Sequence, residues 1–347
     1  MKKAFFYTVL FVFLSLFLGI NGYPGAIFKK GVIGMESRRF RRRSPFPILT
    51  EKFAHKPGDY RRFVRFQGRL RFYDLHVPPG YADKPTPLVL LFHGGGGDPI
   101  QQRNDSQMDP VADREGFIIA YPAGTGKLRF RFLTFNAGIC CGYAVKNNID
   151  DVGFTRFIIE DLSKFFNIDR KRVYAAGFSN GAFMVYRLAV ELSDEIAAIA
   201  AVSGGLRIDP YKYQPKRPIS VIHFHGLKDE YVRFEGGLGK IAQQDKAKGK
   251  YVHPGKRWGV RETLEWFMKW NGIPNKPVEK KRVGKAVYER YGPGKEGSEV
   301  VLWILEDGGH TWPGGRSSLP ESLVGKINRD ISASELIWEF FKKHSLP

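Results

Sequence analysis

The chain has 347 residues, of which 43% are hydrophobic and 14% aromatic, so it can bury a sizeable core and is not an intrinsically disordered protein. Its formal net charge of +20 favours anionic partners such as lipid headgroups, acidic polysaccharide or nucleic acid. The two cysteines are the neighbours Cys140 and Cys141, which excludes an ordinary disulfide framework and a cysteine metal site.

The N-terminus predicts export. Lys2 and Lys3 precede an uncharged apolar run over residues 4–20, and small residues follow it, which is the layout of a secretory signal. We assign residues 1–22 to a signal peptide and expect a secreted protein, extracellular or periplasmic. The alternative is a retained signal anchor, because the run approaches the length of a membrane span and more basic residues follow it than precede it.

Residues 23–60 carry Arg, Pro and Gly without a clear period, and they predict a basic, mostly irregular linker. One expectation is weak binding of this arm to an anionic polymer or membrane surface. The other is a solvated arm that adds only solubility. Neither reading implies recognition of a specific nucleic acid.

Residues 61–345 have the pattern of one α/β domain. Leu70 and Phe72 alternate with arginines, and Tyr73, Leu75 and Val77 alternate on the other parity, which predicts antiparallel edge strands with a bulge or slip between them. Apolar runs typical of strands covered on both faces follow at 87–92, 116–122, 172–176, 196–202, 219–225 and 299–305.

Helical patterns separate these runs. Residues 109–115 and 258–270 are predicted helices, Asp150 and Asp151 are predicted to cap another, and residues 333–343 close the domain. The repeated order of strand, loop and helix predicts a mostly parallel, doubly wound sheet with helices on both faces.

The first of these strands ends in His93 and four glycines, Gly94 to Gly97. Glycines after a buried strand let backbone N–H groups face a cavity, as in the loop that supplies half of an oxyanion hole. A phosphate-binding loop is the alternative, but no Lys-Ser/Thr pair follows. The next long loop, residues 124–141, is of a length usual for functional loops.

A short strand stops at Gly177-Phe-Ser-Asn-Gly181 and turns directly into an amphipathic helix. This context favours a nucleophile elbow, in which a strained turn exposes the hydroxyl of Ser179 at the end of a sheet. The alternative is a glycine-rich connection in which Ser179 serves as the N-cap of the helix.

Ser179, Asp229 and His310 each follow a predicted strand, so all three fall at one edge of the sheet. Their order is that of the α/β-hydrolases. Ser179 is then the nucleophile and His310 the general base and acid, while Asp229 orients the imidazole. Glu230 and Asp307 are alternative acids.

Backbone and neighbouring residues complete the predicted site. The amides of Gly95 and Asn180 are the expected oxyanion donors. Trp312, beside the base, could stack on a sugar or aromatic acyl group or pack the loop. The three histidines near strand ends are predicted to make structural hydrogen bonds: His93, His223 and His225.

The domain resembles the polyhydroxybutyrate depolymerase and feruloyl esterase family of secreted α/β-hydrolases. The resemblance is carried by residues 90–97, 112–122, 136–142 with 150–154, 177–182 and 309–314. It implies a single α/β-hydrolase domain that hydrolyses carboxylic esters outside the cytoplasm with no cofactor and no metal. It places nucleophile, acid and base on Ser179, Asp229 and His310. Phe135, where members often have Trp, and Asn136 become candidate substrate-binding residues.

The leading hypothesis is a secreted serine esterase that acts on a polyester such as polyhydroxyalkanoate, or on phenolic and acetyl esters of plant polysaccharide. A non-catalytic binder of anionic surfaces on a hydrolase scaffold is the alternative from another class. An acyltransferase or a peptidase with the same triad is a third reading.

Overall fold

The computed structural model describes residues 44–347. The predicted signal, residues 1–22, and the first part of the predicted linker, residues 23–43, lie outside the described residues. Within residues 44–347, none of the helices combines the length and apolar character needed to cross a bilayer.

Strands and helices alternate along most of this part of the chain. The strands are β1 (Gly58–Phe66), β2 (Arg69–Val77), β3 (Thr86–Phe92), β4 (Ile118–Pro122), β5 (Thr125–Gly126), β6 (Arg129–Thr134), β7 (Ile168–Phe178), β8 (Ala198–Val202), β9 (Ser220–Gly226), β10 (Glu279–Val283), β11 (Ala286–Tyr291) and β12 (Val300–Leu305). The helices are α1 (Pro99–Ser106), α2 (Asp109–Glu115), α3 (Gly142–Lys146), α4 (Asp151–Leu162), α5 (Asn180–Glu191), α6 (Lys240–Ala247), α7 (Val260–Asn271), α8 (Glu321–Val324) and α9 (Ala333–Phe341), with short 3-10 helices at Glu51–Phe53 and Lys295–Gly297.

The main sheet has ten strands in the order β1-β2-β4-β3-β7-β8-β9-β12-β11-β10, and β5 pairs separately with β6. Neighbouring strands from β4 to β12 are parallel. The two strands at each edge pair in the antiparallel sense. The predicted α/β architecture with a mostly parallel sheet is therefore confirmed.

Helices cover both faces of the sheet, as β3 shows. Leu88 and Leu90 belong to a core that also contains residues of α4, α5 and α7, whereas Val89 and Leu91 belong to a core with residues of α2 and α9. A strand buried on both faces has no solvated position, which is why its sequence is a continuous apolar run.

The predicted bulge between two edge strands is wrong. Residues 69–77 form the single strand β2, which pairs with β1 in an unbroken register from Phe66 opposite Arg69 to Gly58 opposite Val77. The alternation misled because Arg71 and Asp74 are buried in ion pairs with partners from other segments. Polar residues on β2 therefore do not mark its exposed face.

The predicted linker contributes to the folded domain. β1 begins at Gly58, so the boundary drawn at residue 61 lies inside a strand. Leu49 is fully buried, and its amide donates to the carbonyl of Arg61 at 2.9 Å. Sequence patterns also did not predict the β5–β6 and β10–β11 hairpins, and β10 is nearly all polar because it is the exposed edge of the sheet.

Candidate active site

Ser179 lies at the turn between β7 and α5 with φ 54° and ψ −114°, a conformation that L-residues rarely adopt. Its hydroxyl does not cap the helix. The turn is tight because a Cβ on Gly177 would lie 2.4 Å from the backbone of Gly181, and one on Gly181 would lie 2.2 Å from the carbonyl oxygen of Phe92. The glycines thus let helix α5 pack directly on β3 and β7.

The side chains of Ser179, His310 and Asp229 lie in series. The Nε2 atom of His310 is 2.9 Å from Ser179 Oγ, and its Nδ1 atom is 2.7 Å from Asp229 Oδ2. A carboxylate can only accept, so Nδ1 carries the proton and Nε2 is free to accept the serine proton.

The other oxygen of Asp229 is held by the backbone. Asp229 Oδ1 accepts hydrogen bonds from the amides of Tyr231 at 2.9 Å and Val232 at 2.8 Å. Burial raises the pKa of Asp229, but the charge and hydrogen bond of His310 outweigh burial, so its pKa lies below the ordinary value. The carboxylate is ionised and fixed in orientation.

Both alternative acids point elsewhere. Glu230 forms an ion pair with Lys240 at 2.7 Å, and Asp307 forms one with Lys326 at 2.7 Å. Of the acids that sequence left open, only Asp229 contacts His310 within the described residues.

Two buried histidines lie behind the carboxylate. His225 Nε2 is 2.7 Å from the carbonyl of Val232, His223 Nε2 is 3.1 Å from His225 Nδ1, and the Tyr186 hydroxyl is 2.7 Å from His223 Nδ1. Burial lowers the pKa of both histidines. Because the carbonyl only accepts, each neutral ring donates from Nε2 and accepts at Nδ1. The structural role predicted for these histidines is confirmed.

The glycine loop lies over the start of α5. A Cβ on Gly95 would contact the Cβ of Asn180 at 3.4 Å. Neither the Gly95 amide nor the Asn180 amide donates to another group of residues 44–347, whereas the Gly96 amide is bound to Leu133. The residues of the two predicted oxyanion donors are therefore neighbours, and neither amide is used in a hydrogen bond within residues 44–347.

His93 stabilises the glycine loop from below. Its Nδ1 atom donates to the carbonyl of Gly94 at 2.7 Å, and its Nε2 atom accepts from the amide of Gly124 at 3.0 Å. Burial lowers the pKa of His93 to about 4, so the ring is neutral at pH 7. This matches the structural role predicted for it.

The expected substrate-binding side chains are buried. Trp312 donates its Nε1 proton to Ser334 Oγ at 3.1 Å, Phe135 packs on the His93 ring at 4.5 Å, and Asn136 binds the carbonyl of Ile149 at 3.0 Å. All three are at most 5% exposed, so their side chains hold the loops of the site and do not face an open surface. For Trp312 the structure favours the packing alternative.

Sequence reasoning missed the side chain of Asn180. It is buried, and it accepts from the amide of Phe135 at 2.7 Å and donates to the carbonyl of the same residue at 3.1 Å. The predicted long loop, residues 124–141, contains the β5–β6 hairpin, and the pair of bonds ties the elbow to Phe135 directly after β6. Its place directly after the serine was the only local signal.

Aromatic rings beside the base were also missed. Phe178 and Tyr231 lie 4.8 Å and 5.3 Å from the His310 ring, centroid to centroid, and both are half-buried. Phe178 directly precedes Ser179 and Tyr231 is two residues after Asp229, so the signal was their position in the chain. Unlike Trp312, they have surface available for a bound ester.

Asp150 and Asp151 have different roles. Asp150 caps α4, since its carboxylate accepts from the amide of Gly153 at 2.7 Å. Asp151 instead forms a buried ion pair with Arg71 at 2.7 Å. Cys140 and Cys141 are joined to each other by a disulfide.

One cluster among the described residues has the composition of a cation site. Ligand atoms of Asp59, His76 and Asp109 lie within 4.8 Å of one another. The guanidinium of Arg103 contacts both carboxylates, with Nη2 at 2.6 Å from Asp59. A metal ion would have to displace this charge, so the residues form a structural ion-pair network.

Comparison with known proteins gives consistent similarities. Residues 71–210 match the family model described as Esterase PHB depolymerase. The chain is 31% identical over 287 residues to the putative esterase NocK of Nocardia uniformis subsp. tsuyamanensis, covering 80% of this chain and 81% of that protein. It is 26% identical over 275 residues to the probable feruloyl esterase C of Aspergillus niger, covering 78% and 83%.

Another relative is longer than this chain. Feruloyl esterase B of Piromyces equi is 30% identical over 274 residues, which is 78% of this chain but 44% of that protein, so the match spans less than half of its length. Among solved structures, the acetyl xylan esterase from Aspergillus awamori superposes with a TM-score of 0.47 at 15% identity over 70% of this chain and 89% of that chain.

Proposed function

This chain belongs to the PHB depolymerase family of esterases, and from that premise we propose that it cleaves carboxylic esters with Ser179 as nucleophile, His310 as general base and acid, and Asp229 as the orienting carboxylate. The observation that carries the assignment is the unbroken contact from Ser179 Oγ through both nitrogens of His310 to Asp229 Oδ2.

The reaction follows from this geometry. Ser179 Oγ attacks the ester carbonyl while its proton passes to Nε2 of His310, and the positive ring that forms is stabilised by Asp229. The carbonyl oxygen becomes an oxyanion that the free amides of Gly95 and Asn180 can bind.

Collapse of the tetrahedral intermediate breaks the ester bond. The imidazolium returns the proton to the leaving alcohol, and Ser179 is left acylated. A water molecule then attacks the acyl carbonyl while His310 takes its proton. The second tetrahedral intermediate collapses, the proton returns to Ser179 Oγ, and the carboxylic acid is released.

The proposed substrate class is an ester that belongs to a polymer, either a polyester or an ester-substituted polysaccharide. Relatives named as feruloyl esterases support an ester-substituted polysaccharide, and the family description supports a polyester. The half-buried rings of Phe178 and Tyr231 beside the base offer apolar contact to an acyl group.

We also propose that the protein acts outside the cytoplasm. The support is the sequence of residues 1–22, where a dibasic start precedes an apolar run. N-terminal sequencing of the protein recovered from the medium or periplasm tests this. Recovery of the full-length chain in the membrane fraction would instead favour a retained anchor.

Hydrolysis of 4-nitrophenyl butyrate by wild type and by Ser179→Ala tests the catalytic assignment. We expect the variant to lose at least about 10³-fold in kcat. Ser163→Ala removes a hydroxyl that donates to the carbonyl of Ile159 in α4 and accepts from Arg170, and neither partner belongs to the triad, so it should retain full activity. Equal rates for Ser179→Ala and wild type would refute the mechanism.

The two proposed substrate classes can be distinguished by assays of one purified preparation on polyhydroxybutyrate film, methyl ferulate and acetylated xylan. Preference for the film would assign a polyester. Preference for the ferulate or the xylan would assign ester groups on polysaccharide.

A further inference from the structure

Arg207 is a buried cation without an acidic partner. It follows β8 at the edge of the sheet that holds Ser179, and it is 5% exposed. Its Nη1 atom donates to the carbonyls of Leu206 at 2.8 Å and Trp258 at 3.1 Å. No carboxylate within residues 44–347 forms an ion pair with it, and the nearby charge that acts on it is the positive Arg257.

Such a charge is unfavourable in a protein interior. Carbonyl dipoles replace only part of the hydration that a guanidinium loses on burial. Burial, followed by the charge of Arg257, lowers the pKa of Arg207 to about 9. The other buried arginine within residues 44–347, Arg71, has Asp151 as its acid. Arg207 therefore differs in lacking the anion that would normally neutralise it.

Part of the guanidinium is available to a ligand. Within the described chain, Nε and Nη2 of Arg207 donate to no group, yet they are not among the polar atoms sealed from solvent. These two atoms form one edge of the guanidinium fork, which is the edge that matches the two oxygens of a carboxylate.

The position of Arg207 links it to the triad. Its Cζ atom is 4.4 Å from the ring centroid of Phe183, and the amide of Phe183 donates to the carbonyl of Ser179. Its charge also reaches His225, which lies 3.6 Å from Asp229 Oδ2. An anion bound to Arg207 would thus lie on the side of the nucleophile formed by the first turn of α5.

We propose that Arg207 binds a carboxylate of the substrate, and that the preferred ester of this enzyme is therefore an anionic one. The inference rests on the proposed esterase function and narrows its substrate class. The carboxylate could belong to the acyl part, as in a dicarboxylic half-ester, or to the alcohol part, as in an esterified hydroxy acid or uronic acid.

Paired esters that differ in one charge test the proposal. For the acyl part, mono-4-nitrophenyl glutarate is compared with 4-nitrophenyl valerate; for the alcohol part, 3-acetoxybutyrate is compared with its methyl ester. Wild type should favour the anionic member of at least one pair by about 10–100-fold in kcat/KM, the range expected for one charge-assisted hydrogen-bonded contact. The pair that shows the preference identifies the source of the carboxylate.

Arg207→Met retains the apolar stem and removes the charge. It should abolish the preference while changing kcat/KM on the neutral ester by less than about 3-fold, and Arg207→Lys should restore part of the preference. Arg217→Met is the matched control. Arg217 lies just before β9, at the end of the strands opposite Ser179, and it forms an ion pair with Glu296. It should leave the ratio unchanged.

Two results would overturn the proposal. One is a wild-type ratio near one for both ester pairs. The other is an Arg207→Met variant that loses the same factor on charged and neutral esters, which would show a purely structural role. If either result were found while Ser179→Ala lost its activity on the neutral ester, the esterase assignment would stand and only the proposed carboxylate-binding role of Arg207 would be refuted.

Wild type supplies a readout if Arg207→Met does not fold. Glutarate should inhibit hydrolysis of 4-nitrophenyl acetate competitively, at least 10-fold more strongly than the neutral glutaramide, and the difference should shrink as salt is raised. Equal inhibition by the two compounds would contradict the proposal.

Discussion

Asp229 shows how much of the candidate chemistry depends on the placement of single atoms. Its two oxygens have separate partners, since one accepts from His310 and the other from two backbone amides. The backbone bonds prevent rotation of the carboxylate, and the carboxylate in turn selects the ring tautomer in which Nε2 faces Ser179. The residues behind it, His225 and His223, are neutral and add no competing charge.

Replacement of Asp229 by Asn tests this arrangement. The amide nitrogen can donate to His310 Nδ1 and favour the other tautomer, so Nε2 would hold a proton and could not accept from the serine. We expect kcat to fall by about 10³–10⁴-fold with little change in KM. Steady-state kinetics on 4-nitrophenyl butyrate measures it.

The rejected acids provide the controls. Glu230→Gln removes an ion pair with Lys240. Asp307→Asn removes one with Lys326 and keeps an oxygen that can accept from Asn328, so both variants should keep kcat within about 2-fold of wild type. A large loss in either one, or none in Asp229→Asn, would mean that the acid has been assigned incorrectly.

At the scale of elements, the contact between α5 and β3 positions the nucleophile. Gly181→Ala would place a methyl group 2.2 Å from the carbonyl oxygen of Phe92, so helix and strand must separate. We expect loss of about 1–3 kcal/mol in the free energy of unfolding and at least 10-fold in kcat, because Ser179 and the Gly95 loop would move apart. Urea denaturation and ester kinetics measure the two effects.

Gly80→Ala is the matched control. Gly80 lies before β3, away from the elbow, and a Cβ on it would meet nothing within 4 Å. Stability and activity should both stay near wild type. If Gly181→Ala behaved in the same way, close packing of helix on strand would not be what holds the nucleophile.

Glu289 links the β10–β11 hairpin to α7. It is buried and accepts hydrogen bonds from Arg261 at 3.0 Å and from the Tyr291 hydroxyl at 2.7 Å, and it forms an ion pair with Lys280 at 3.1 Å. Burial raises the pKa of Glu289, but these partners outweigh it and lower the pKa from 4.5 to about 2. The ionised form therefore stabilises the fold.

The sign of the pH dependence follows from that direction. The contribution of Glu289 is complete above the unfolded pKa and is lost as pH falls from 4.5 to about 2. Glu289→Gln should cost about 1–2 kcal/mol at pH 7, and the difference from wild type should shrink at pH 3. Urea unfolding at both pH values checks this.

Glu279→Gln is the control on the same hairpin, because its carboxylate is exposed and should change stability little. A difference between Glu289→Gln and wild type that stays constant from pH 7 to pH 3 would show that the charge of Glu289 is not what stabilises the hairpin.

At the scale of the whole molecule, residues 44–57 belong to the fold that supports the site. Ile48 forms a bridge with Arg61 of β1, and Leu49 is completely buried in the core that also contains residues of α4. A chain that starts at residue 44 should therefore keep its turnover of soluble esters. A chain that starts at residue 58 should lose about 2–5 kcal/mol, the cost of emptying a buried leucine site.

Thermal unfolding and 4-nitrophenyl butyrate assays of the two truncations measure the effect, and Leu49→Ala in the longer chain isolates the leucine. Loss of turnover on removal of residues 1–43 would contradict this expectation. If the chain that starts at residue 44 still bound acidic polymer in a salt-sensitive way, residues 1–43 would not be needed for that binding.

The sequence by itself determined the local features of this protein. Apolar runs marked the buried strands, two glycines marked the turn at Ser179, and the order of three polar residues after strand ends predicted that they would meet. These features can be read locally because strand burial and turn conformation depend on neighbours in the chain.

Tertiary structure decided everything that depends on partners distant in sequence. Asp229 and not Asp307 contacts His310, although Asp229 is 81 residues away from it in the chain. Trp312 is buried and donates a hydrogen bond to Ser334, so it does not face the open surface. Arg207 differs from Arg71, the other buried arginine of residues 44–347, in the acid that it lacks. Burial, pairing and the protonation that follows from them are set by packed segments, and no local pattern records which segments will pack.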